Sequence, residues 1–126
     1  MSTMIYRNGI GTTSAYQVSG IPFATGSTLG AGGEDTVSFP AVTKAVTVTN
    51  IGAQSLRVHF NPSSAGNVIG GKHFMTLASS SSFTFDVKCK EVSVSSVAGT
   101  DYEIFAELTT VPTTEMYILT GSGLTD

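Results

Sequence analysis

Apolar and polar residues alternate with a period of two over most of the chain from Asp35 onward. Because side chains on a strand point alternately to opposite faces, this alternation predicts strands with one buried face. No segment has apolar residues at helical spacing over three turns, so we expect little helix. The pattern predicts eight strands, at Thr36–Phe39, Ala45–Thr49, Ser55–Phe60, Lys72–Leu77, Phe83–Cys89, Glu91–Ser96, Asp101–Leu108 and Met116–Thr120.

Two pairs of these strands have the pattern of β-hairpins. The turn sequence NIGAQ separates the strands within residues 45–60, and a serine-rich turn at 78–81 separates those within residues 72–89. Alternating runs on both sides of a short turn are typical of hairpins. In the strand Asp101–Leu108, Phe105 is an exception, because it is apolar on the face that otherwise carries Glu103 and Glu107.

The alternation changes phase within residues 81–99. Apolar side chains occupy the odd positions up to Cys89 and the even positions from Val92 onward. A slip of one residue turns the apolar set to the opposite face of a sheet. Either a bulge at Lys88–Glu91, where the chain bends or passes toward a second sheet, or a tight turn at Lys90 between two strands would explain the slip.

The order of these elements predicts the fold class. Several short strands with turn signals and no intervening helices favour two packed antiparallel sheets, and eight strands fit a jelly roll or a related β-sandwich. Residues 1–34 are rich in Gly, Ser and Thr. We interpret them as an extended N-terminal arm, with short strand pieces near Met4–Arg7 and Tyr16–Val18, in front of a sandwich domain at 35–126.

The composition points toward a protein that assembles. Only 12% of the residues are charged, against about 25% in ordinary soluble domains. The chain contains 16 Ser and 18 Thr, so its polar faces are mainly hydroxyl groups. Such a surface loses little side-chain entropy when a partner covers it. Ser and Thr also simply suit the strands and turns of an all-β domain, and the composition alone does not separate the two explanations.

Length and charge limit the kinds of protein that this chain can be. A chain of 126 residues fits one domain, and its single cysteine excludes an intrachain disulfide. The beginning of the sequence lacks the pattern of a signal peptide, and no apolar run approaches the roughly 20 residues needed to span a bilayer. We therefore expect a soluble protein made in a cytoplasm. The net charge of −3 and the scattered basic residues disfavour nucleic-acid binding.

The titratable side chains form no recognisable catalytic or metal motif. His59 and His73 lie between apolar neighbours, without the spacing of a metal site, and are interpreted as ordinary strand histidines. Cys89 shares its parity with the apolar residues before it, so we expect a buried, unreactive thiol with a raised pKa. Glu103 and Glu107 are roughly 13 Å apart by strand rise, whereas paired catalytic carboxylates are at most about 9.5 Å apart.

Serines and glycines give no stronger signal. The sequence has no GxSxG motif, and ASSSS is typical of a turn. GSTLGAGG has the glycine content of a phosphate-binding loop but neither the lysine nor the following helix. We therefore predict no catalytic, cofactor-binding or metal-binding residues, and a protein that is not an enzyme.

The segments FTFDVKCKEVSVSS, GTDYEIFAELT and MYILTGSGLTD resemble the small decoration, or cement, proteins on the heads of tailed bacteriophages. The likeness covers roughly residues 35–126. It implies a β-sandwich or jelly-roll domain, often trimeric, that binds the outer capsid surface where major-capsid subunits meet and reinforces the shell. The implied partners are the major capsid protein and further copies of the chain, with a trimer favoured. The resemblance supplies no catalytic or ligand-binding residues.

Apolar groups in a glycine-rich arm have few core positions to fill. We therefore expect the arm to contact the capsid or a neighbouring subunit through Tyr6, Arg7, Tyr16, Ile21 and Phe23. Two other functions stay open. One is a carbohydrate- or receptor-binding β-sandwich of a phage fibre, although the chain has no Trp and only four Tyr to form a sugar platform. The other is a cupin-like enzyme with a histidine-bound metal.

Overall fold

The structure is a computed structural model that describes residues 20–126. Within this range the chain forms eight strands and one short 3-10 helix, Thr113–Glu115. The strands are β1 Ile21–Thr28, β2 Glu34–Ser38, β3 Thr43–Asn50, β4 Leu56–His59, β5 Met75–Leu77, β6 Ser82–Phe85, β7 Glu91–Ser95 and β8 Asp101–Leu108. No helix in this part of the chain is long and apolar enough to cross a membrane.

The strands form two four-stranded antiparallel sheets. Sheet A has the order β1-β8-β3-β6, and sheet B has the order β2-β7-β4-β5. Consecutive strands alternate between the sheets, except that β4 and β5 are neighbours in sheet B. Eight strands in two sheets joined in this order are a jelly roll. The predicted fold class, an antiparallel β-sandwich of about eight strands, is confirmed.

The inner faces of the two sheets form one hydrophobic core. Val46 and Val48 of β3 and the alternate residues of β8 from Tyr102 to Leu108 are buried, as the period-two pattern predicts. Tyr102 also joins the sheets, because its hydroxyl donates a hydrogen bond of 2.9 Å to the Asp35 carboxylate. Tyr102 lies on β8 of sheet A and Asp35 on β2 of sheet B.

Part of the segment predicted to be an arm is a strand of the sandwich. β1 pairs with β8 over its full length, from Ile21 opposite Leu108 to Thr28 opposite Asp101. Gly26 lies within this strand and pairs with Glu103. A Cβ atom at this position would come within 2.8 Å of the Tyr102 carbonyl oxygen, so the close approach of β8 favours glycine here. The sandwich therefore includes residues before 35. The predicted strand pieces Met4–Arg7 and Tyr16–Val18 lie outside the described residues.

Both hairpin predictions were wrong. β3 lies in sheet A and β4 in sheet B, and β5 and β6 are likewise in different sheets. A chain that turns back in one sheet and a chain that arches to the facing sheet both place apolar residues toward the same core. The alternation therefore cannot distinguish the two connections.

The predicted last strand, Met116–Thr120, is not a strand. Met116 is buried beside Val42 and Val111, but Tyr117 and Ile118 are both exposed. Two consecutive exposed side chains break the alternation that a half-buried strand requires. The segment after β8 therefore packs through single residues across one end of the sandwich.

The phase change near Cys89 marks the crossing between the sheets. β6 belongs to sheet A and β7 to sheet B, and residues 86–90 connect them without strand structure. Neither a bulge at Lys88–Glu91 nor a tight turn describes this connection. The register of β3 against β8 does shift, between Thr43 and Ala45, and so places the fully buried Thr43 beside the crossing.

Thr43 holds the crossing through its hydroxyl group. Its Oγ1 donates a hydrogen bond of 2.9 Å to the Val87 carbonyl oxygen and accepts one of 3.0 Å from the Cys89 N–H. The Thr43 N–H in turn donates to the Cys89 carbonyl oxygen at 2.9 Å. A backbone segment between two sheets has no ladder to satisfy its polar groups, and Thr43 supplies the missing partners.

We expect the change Thr43→Val to lower the free energy of unfolding by about 2–3 kcal/mol, since it leaves the Val87 carbonyl and the Cys89 N–H without their side-chain partner. Thr43→Ser keeps the hydroxyl and should cost only about 1 kcal/mol, the value of a buried methyl group. Urea denaturation of the two variants and the parent measures the difference. Equal losses in both variants would contradict a role for the hydroxyl.

The Tyr102–Asp35 contact predicts a pH dependence. Burial raises the pKa of Tyr102 to about 12, and the hydrogen bond to the Asp35 carboxylate and its negative charge add to the rise. Because the ordinary pKa is about 10, the resulting stability is fully present below pH 10 and is lost as the pH rises toward 12. The difference in unfolding free energy between the parent and Tyr102→Phe should therefore shrink from pH 9 to pH 12.

Urea titrations at fixed pH values measure this difference. Tyr117→Phe is the matched control, because it removes the hydroxyl of an exposed tyrosine. A parent-to-variant difference that is the same at pH 9 and pH 12 would exclude the contribution of Tyr102 ionisation.

Candidate contact surface

Among residues 20–126, the outer face of sheet A is open to solvent except at the buried Ala45. Tyr102, Ile104, Ala106 and Leu108 of β8 point into the core, so the residues between them point outward. The strand pairing then places the outward residues of the other strands in the same rows. We define the outer face of sheet A by Pro22, Ala24, Gly26, Thr28, Ala45, Thr47, Thr49, Ser82, Thr84, Asp101, Glu103, Phe105 and Glu107.

Phe105 is the one large apolar side chain at the centre of this face. It pairs with Ala24 of β1 on one side and with Thr47 of β3 on the other, and it is 47% exposed. Thr47 shares a hydrogen bond of 2.9 Å with Thr84 of β6. The small neighbours do not cover the ring, so its apolar surface stays available to a partner.

A depression of about 400 Å³ lies beside the Phe105 ring. It is lined by Ala24, Thr25, Thr49, Glu103, Ile104 and Phe105. An exposed aromatic group next to a recess of this kind is the arrangement found at the centre of many protein interfaces, where a side chain of one partner fills the recess of the other.

β8 gives this face a negative character. Its outward residues include Asp101, Glu103 and Glu107, and the strand contains no basic residue. The polar groups opposite the centre of β8 are uncharged hydroxyls, at Thr47, Thr49 and Thr84 among others, and the one basic residue of β3 and β6 is Lys44, near the start of β3. A partner with basic groups or hydrogen-bond donors around an apolar centre would complement this surface.

Two of the five residues predicted as arm contacts lie in the described part of the chain. Ile21 is 50% exposed at the start of β1. Phe23 packs against the core and meets Phe39 edge to face, with ring centroids 5.3 Å apart. Phe23 therefore contributes to the sandwich as well as to its surface. Tyr6, Arg7 and Tyr16 lie outside the described residues.

The centre of the outer face of sheet B is covered by its own chain. His59 of β4 and Ser93 of β7 are fully buried, although they alternate with residues that face the core. The connection between β4 and β5 provides the cover. The Ser63 N–H and hydroxyl donate to the Glu34 carboxylate, at 2.8 and 3.0 Å, and so fix this connection to β2.

His59 is the centre of a polar network beneath that cover. Its Nδ1 lies 2.6 Å from the Asn61 carbonyl oxygen, and its Nε2 lies 3.0 Å from Ser95 Oγ and 3.6 Å from a Glu34 oxygen. Because a carbonyl oxygen only accepts, Nδ1 carries the proton, and in the neutral ring Nε2 accepts from Ser95. These bonds join β2, β4 and β7 to the covering connection.

The remaining reactive groups are separate from one another. Cys89 is fully buried, and burial raises the pKa of its thiol, as the sequence predicted. His73 is not the strand histidine that the sequence predicted, because it lies in the connection before β5. Its buried Nε2 has no hydrogen-bond partner among residues 20–126. No group of three or more His, Cys, Asp or Glu side chains in this part of the chain could hold a metal ion.

A second apolar surface lies at the end of the sandwich where residues 86–90 cross. It is a groove of about 310 Å³ lined by Phe60, Val87, Lys88, Leu119 and Leu124. Phe60 meets Phe85 edge to face at 5.7 Å and so closes the core beneath the groove. Two of its five lining residues, Leu119 and Leu124, belong to the C-terminal segment, whose packing the sequence did not predict.

One feature of the sequence, the apolar Phe105 on a polar face of its strand, could have indicated the contact surface on sheet A. Phe105 interrupts the alternation of β8, and only an exposed position or a second buried face explains such an interruption. The depression beside the ring could not be predicted, because Ala24 and Thr49 come from strands distant in the sequence.

Comparison with known proteins does not assign the chain to a family. No protein-family model and no curated protein matches it. Among solved structures, a de novo designed double-stranded β-helix, solved by NMR, is 17% identical, with a TM-score of 0.43, covering 68% of this chain and 99% of that one. PirA is 14% identical, with a TM-score of 0.41, covering 79% of this chain and 99% of that one. These likenesses are too weak to inform function.

Proposed function

We propose that the protein is a structural virion protein that decorates the outer surface of a phage head. In this role it binds the major capsid protein as a homo-oligomer, after synthesis in the host cytoplasm, and carries out no catalysis. The observation that carries the proposal is the open outer face of sheet A, with the exposed Phe105 ring beside a recess and hydroxyl groups around it. The sequence resemblance to cement proteins supports the same role.

The proposed mechanism is mechanical. Each copy bridges neighbouring capsid subunits and opposes their separation when packaged DNA presses on the shell. The contact needs little energy at any one site, because a capsid lattice presents many sites at high effective concentration. A rigid sandwich suits this work, since the inner faces of both sheets pack into one core and Tyr102 links the sheets directly.

The chemistry of the outer face suits a protein partner. Ser and Thr side chains lose less rotamer freedom on burial than Lys, Glu or Arg, so a hydroxyl-rich face is covered at low entropic cost. Phe105 supplies the apolar centre, and aromatic residues of this kind contribute most of the binding energy of many interfaces. The carboxylates of Glu103 and Glu107 flank it and favour a partner of complementary charge.

The first test changes Phe105. Phe105→Arg places a charge at the apolar centre of the outer face of sheet A and should weaken co-sedimentation with heads of the encoding phage by at least about tenfold. The fold should stay intact, because the side chain points away from the core. Val97→Arg is the matched control, since Val97 is 66% exposed and lies outside this face in the connection before β8.

The thermal unfolding midpoints of both variants show whether the fold is retained. Equal binding by Phe105→Arg and the parent would exclude this face from the contact. Binding to a glycan array without binding to heads would instead support the carbohydrate- or receptor-binding function of a phage fibre.

The second test concerns the predicted arm. Removal of residues 1–19 deletes Tyr6, Arg7 and Tyr16 and should weaken binding to heads while the unfolding midpoint stays within a few degrees of the parent. The deletion ends at residue 19 because Ile21 begins β1, which pairs with β8 over its whole length. Unchanged binding would remove the arm from the contact, and a large loss of stability would give it a role in the fold.

A further inference from the structure

β1 is the longest open edge of the described sandwich. Sheet A ends in β1 and β6, and sheet B ends in β2 and β5. β1 has eight residues, whereas the other three edge strands have four, five and three. A long edge presents a row of unpaired backbone N–H and C=O groups and is a template for pairing with another strand.

β1 also lacks most features that prevent such pairing. Its sequence, IPFATGST, has no charged residue, whereas the edge strand β2 begins with Glu34 and Asp35. Its only edge-blocking residue is Pro22, near its start. Natural sheets protect open edges with charges, prolines, bulges or very short strands. Residues 23–28 have none of these protections.

The outward backbone groups of β1 can be identified from its pairing with β8. The Leu29 N–H donates to the Thr100 carbonyl oxygen at 2.8 Å, just beyond the last strand pair. Because the backbone groups of successive strand residues point to opposite sides, the odd residues of β1 face β8 and the even residues face outward. The outward donors are therefore those of Ala24, Gly26 and Thr28, since Pro22 has no N–H.

We propose that two copies of the protein pair through β1 in an antiparallel, two-fold arrangement centred on Gly26. In this register Gly26 lies opposite Gly26 of the second copy, and Ala24 lies opposite Thr28. The three outward donors of each copy then meet three outward carbonyl groups of the other, so that every donor is used. Pro22 lies opposite Gly30, which follows the strand, so its missing N–H interrupts no bond.

Sterics and charge agree with this register. The side chains nearest the two-fold axis on the outer face are Ala24, Gly26 and Thr28, which are small and exposed. The nearest carboxylate in the same row is Glu103 of β8, opposite Gly26. With strands about 4.8 Å apart, the two Glu103 positions are three spacings, or roughly 14 Å, from each other, beyond the Debye length of about 8 Å at physiological salt.

The pairing would join the two copies of sheet A into one eight-stranded sheet. Two isologous copies form a closed assembly and cover both long edges, so the pairing does not propagate into a fibre. The two Phe105 rings would then lie on one continuous outer face. The proposal stands independently of what that face binds.

A cysteine exchange experiment tests the register. Thr25 lies opposite Ser27 of the second copy, in a non-hydrogen-bonded pair with Cα atoms about 4.5 Å apart, which a disulfide can bridge. A mixture of Thr25→Cys and Ser27→Cys should form a mixed disulfide dimer on mild oxidation. Either variant alone should not, because identical residues are diagonal neighbours roughly 7–8 Å apart. Cys89 is fully buried and stays in all variants.

Native mass measurements test the interface without a crosslink. Ala24→Pro removes an outward donor but no bond to β8, so the folded chain should shift from about 26 kDa, twice the monomer mass of 13.0 kDa, to monomer. Ala24→Val keeps the N–H and should remain a dimer. The unfolding midpoint of each variant shows that it is folded.

A monomeric parent at every concentration tested would overturn the proposal. So would a trimer, or any oligomer, in which the Thr25→Cys and Ser27→Cys mixture forms no crosslink. An oligomer that dissociates when residues 1–19 are removed, yet is unaffected by Ala24→Pro, would assign the association to the N-terminal segment and also overturn it.

Discussion

The fold depends on hydrogen-bond partners for the backbone N–H and C=O groups where the chain crosses from one sheet to the other. The chain of a jelly roll crosses between its two sheets several times. At residues 86–90 it crosses next to the core, in a segment without strand pairing. The buried hydroxyl of Thr43 donates to Val87 and accepts from Cys89, and its own N–H donates to the Cys89 carbonyl. Thr43 thereby provides hydrogen bonds that a neighbouring strand would provide in a sheet. These bonds matter because an unpaired backbone polar group in the core lowers the stability of the fold.

The two sheets use their outer faces in different ways. The connection between β4 and β5 covers the centre of the outer face of sheet B, and polar contacts of His59, Ser95 and Glu34 hold it in place. Sheet A has no such cover in the described part of the chain, and Phe105 is left exposed among small and hydroxyl-bearing residues. The outer face of sheet A, with its exposed aromatic ring, is therefore the side of the sandwich better suited to a partner.

Sequence reasoning succeeded where one strand contained the whole signal. The buried residues of β8 follow from the parity of positions along a single strand. It failed where the signal was shared between strands. β1 appeared too rich in glycine to be a strand, yet its pairing with β8 places Gly26 where a side chain would meet the Tyr102 carbonyl. Phe105 was visible as an exception, but the recess beside it needs residues from three strands.

The sequence by itself determined that this protein is a sandwich of about eight short strands, because a period of two survives in any antiparallel arrangement of half-buried strands. Only the tertiary structure decided which strands are neighbours, since a hairpin and an arch between sheets bury the same side chains. It also decided which faces and edges stay open. That choice depends on how distant segments such as residues 60–74 pack, and alternation within one strand contains no information about what lies on top of it.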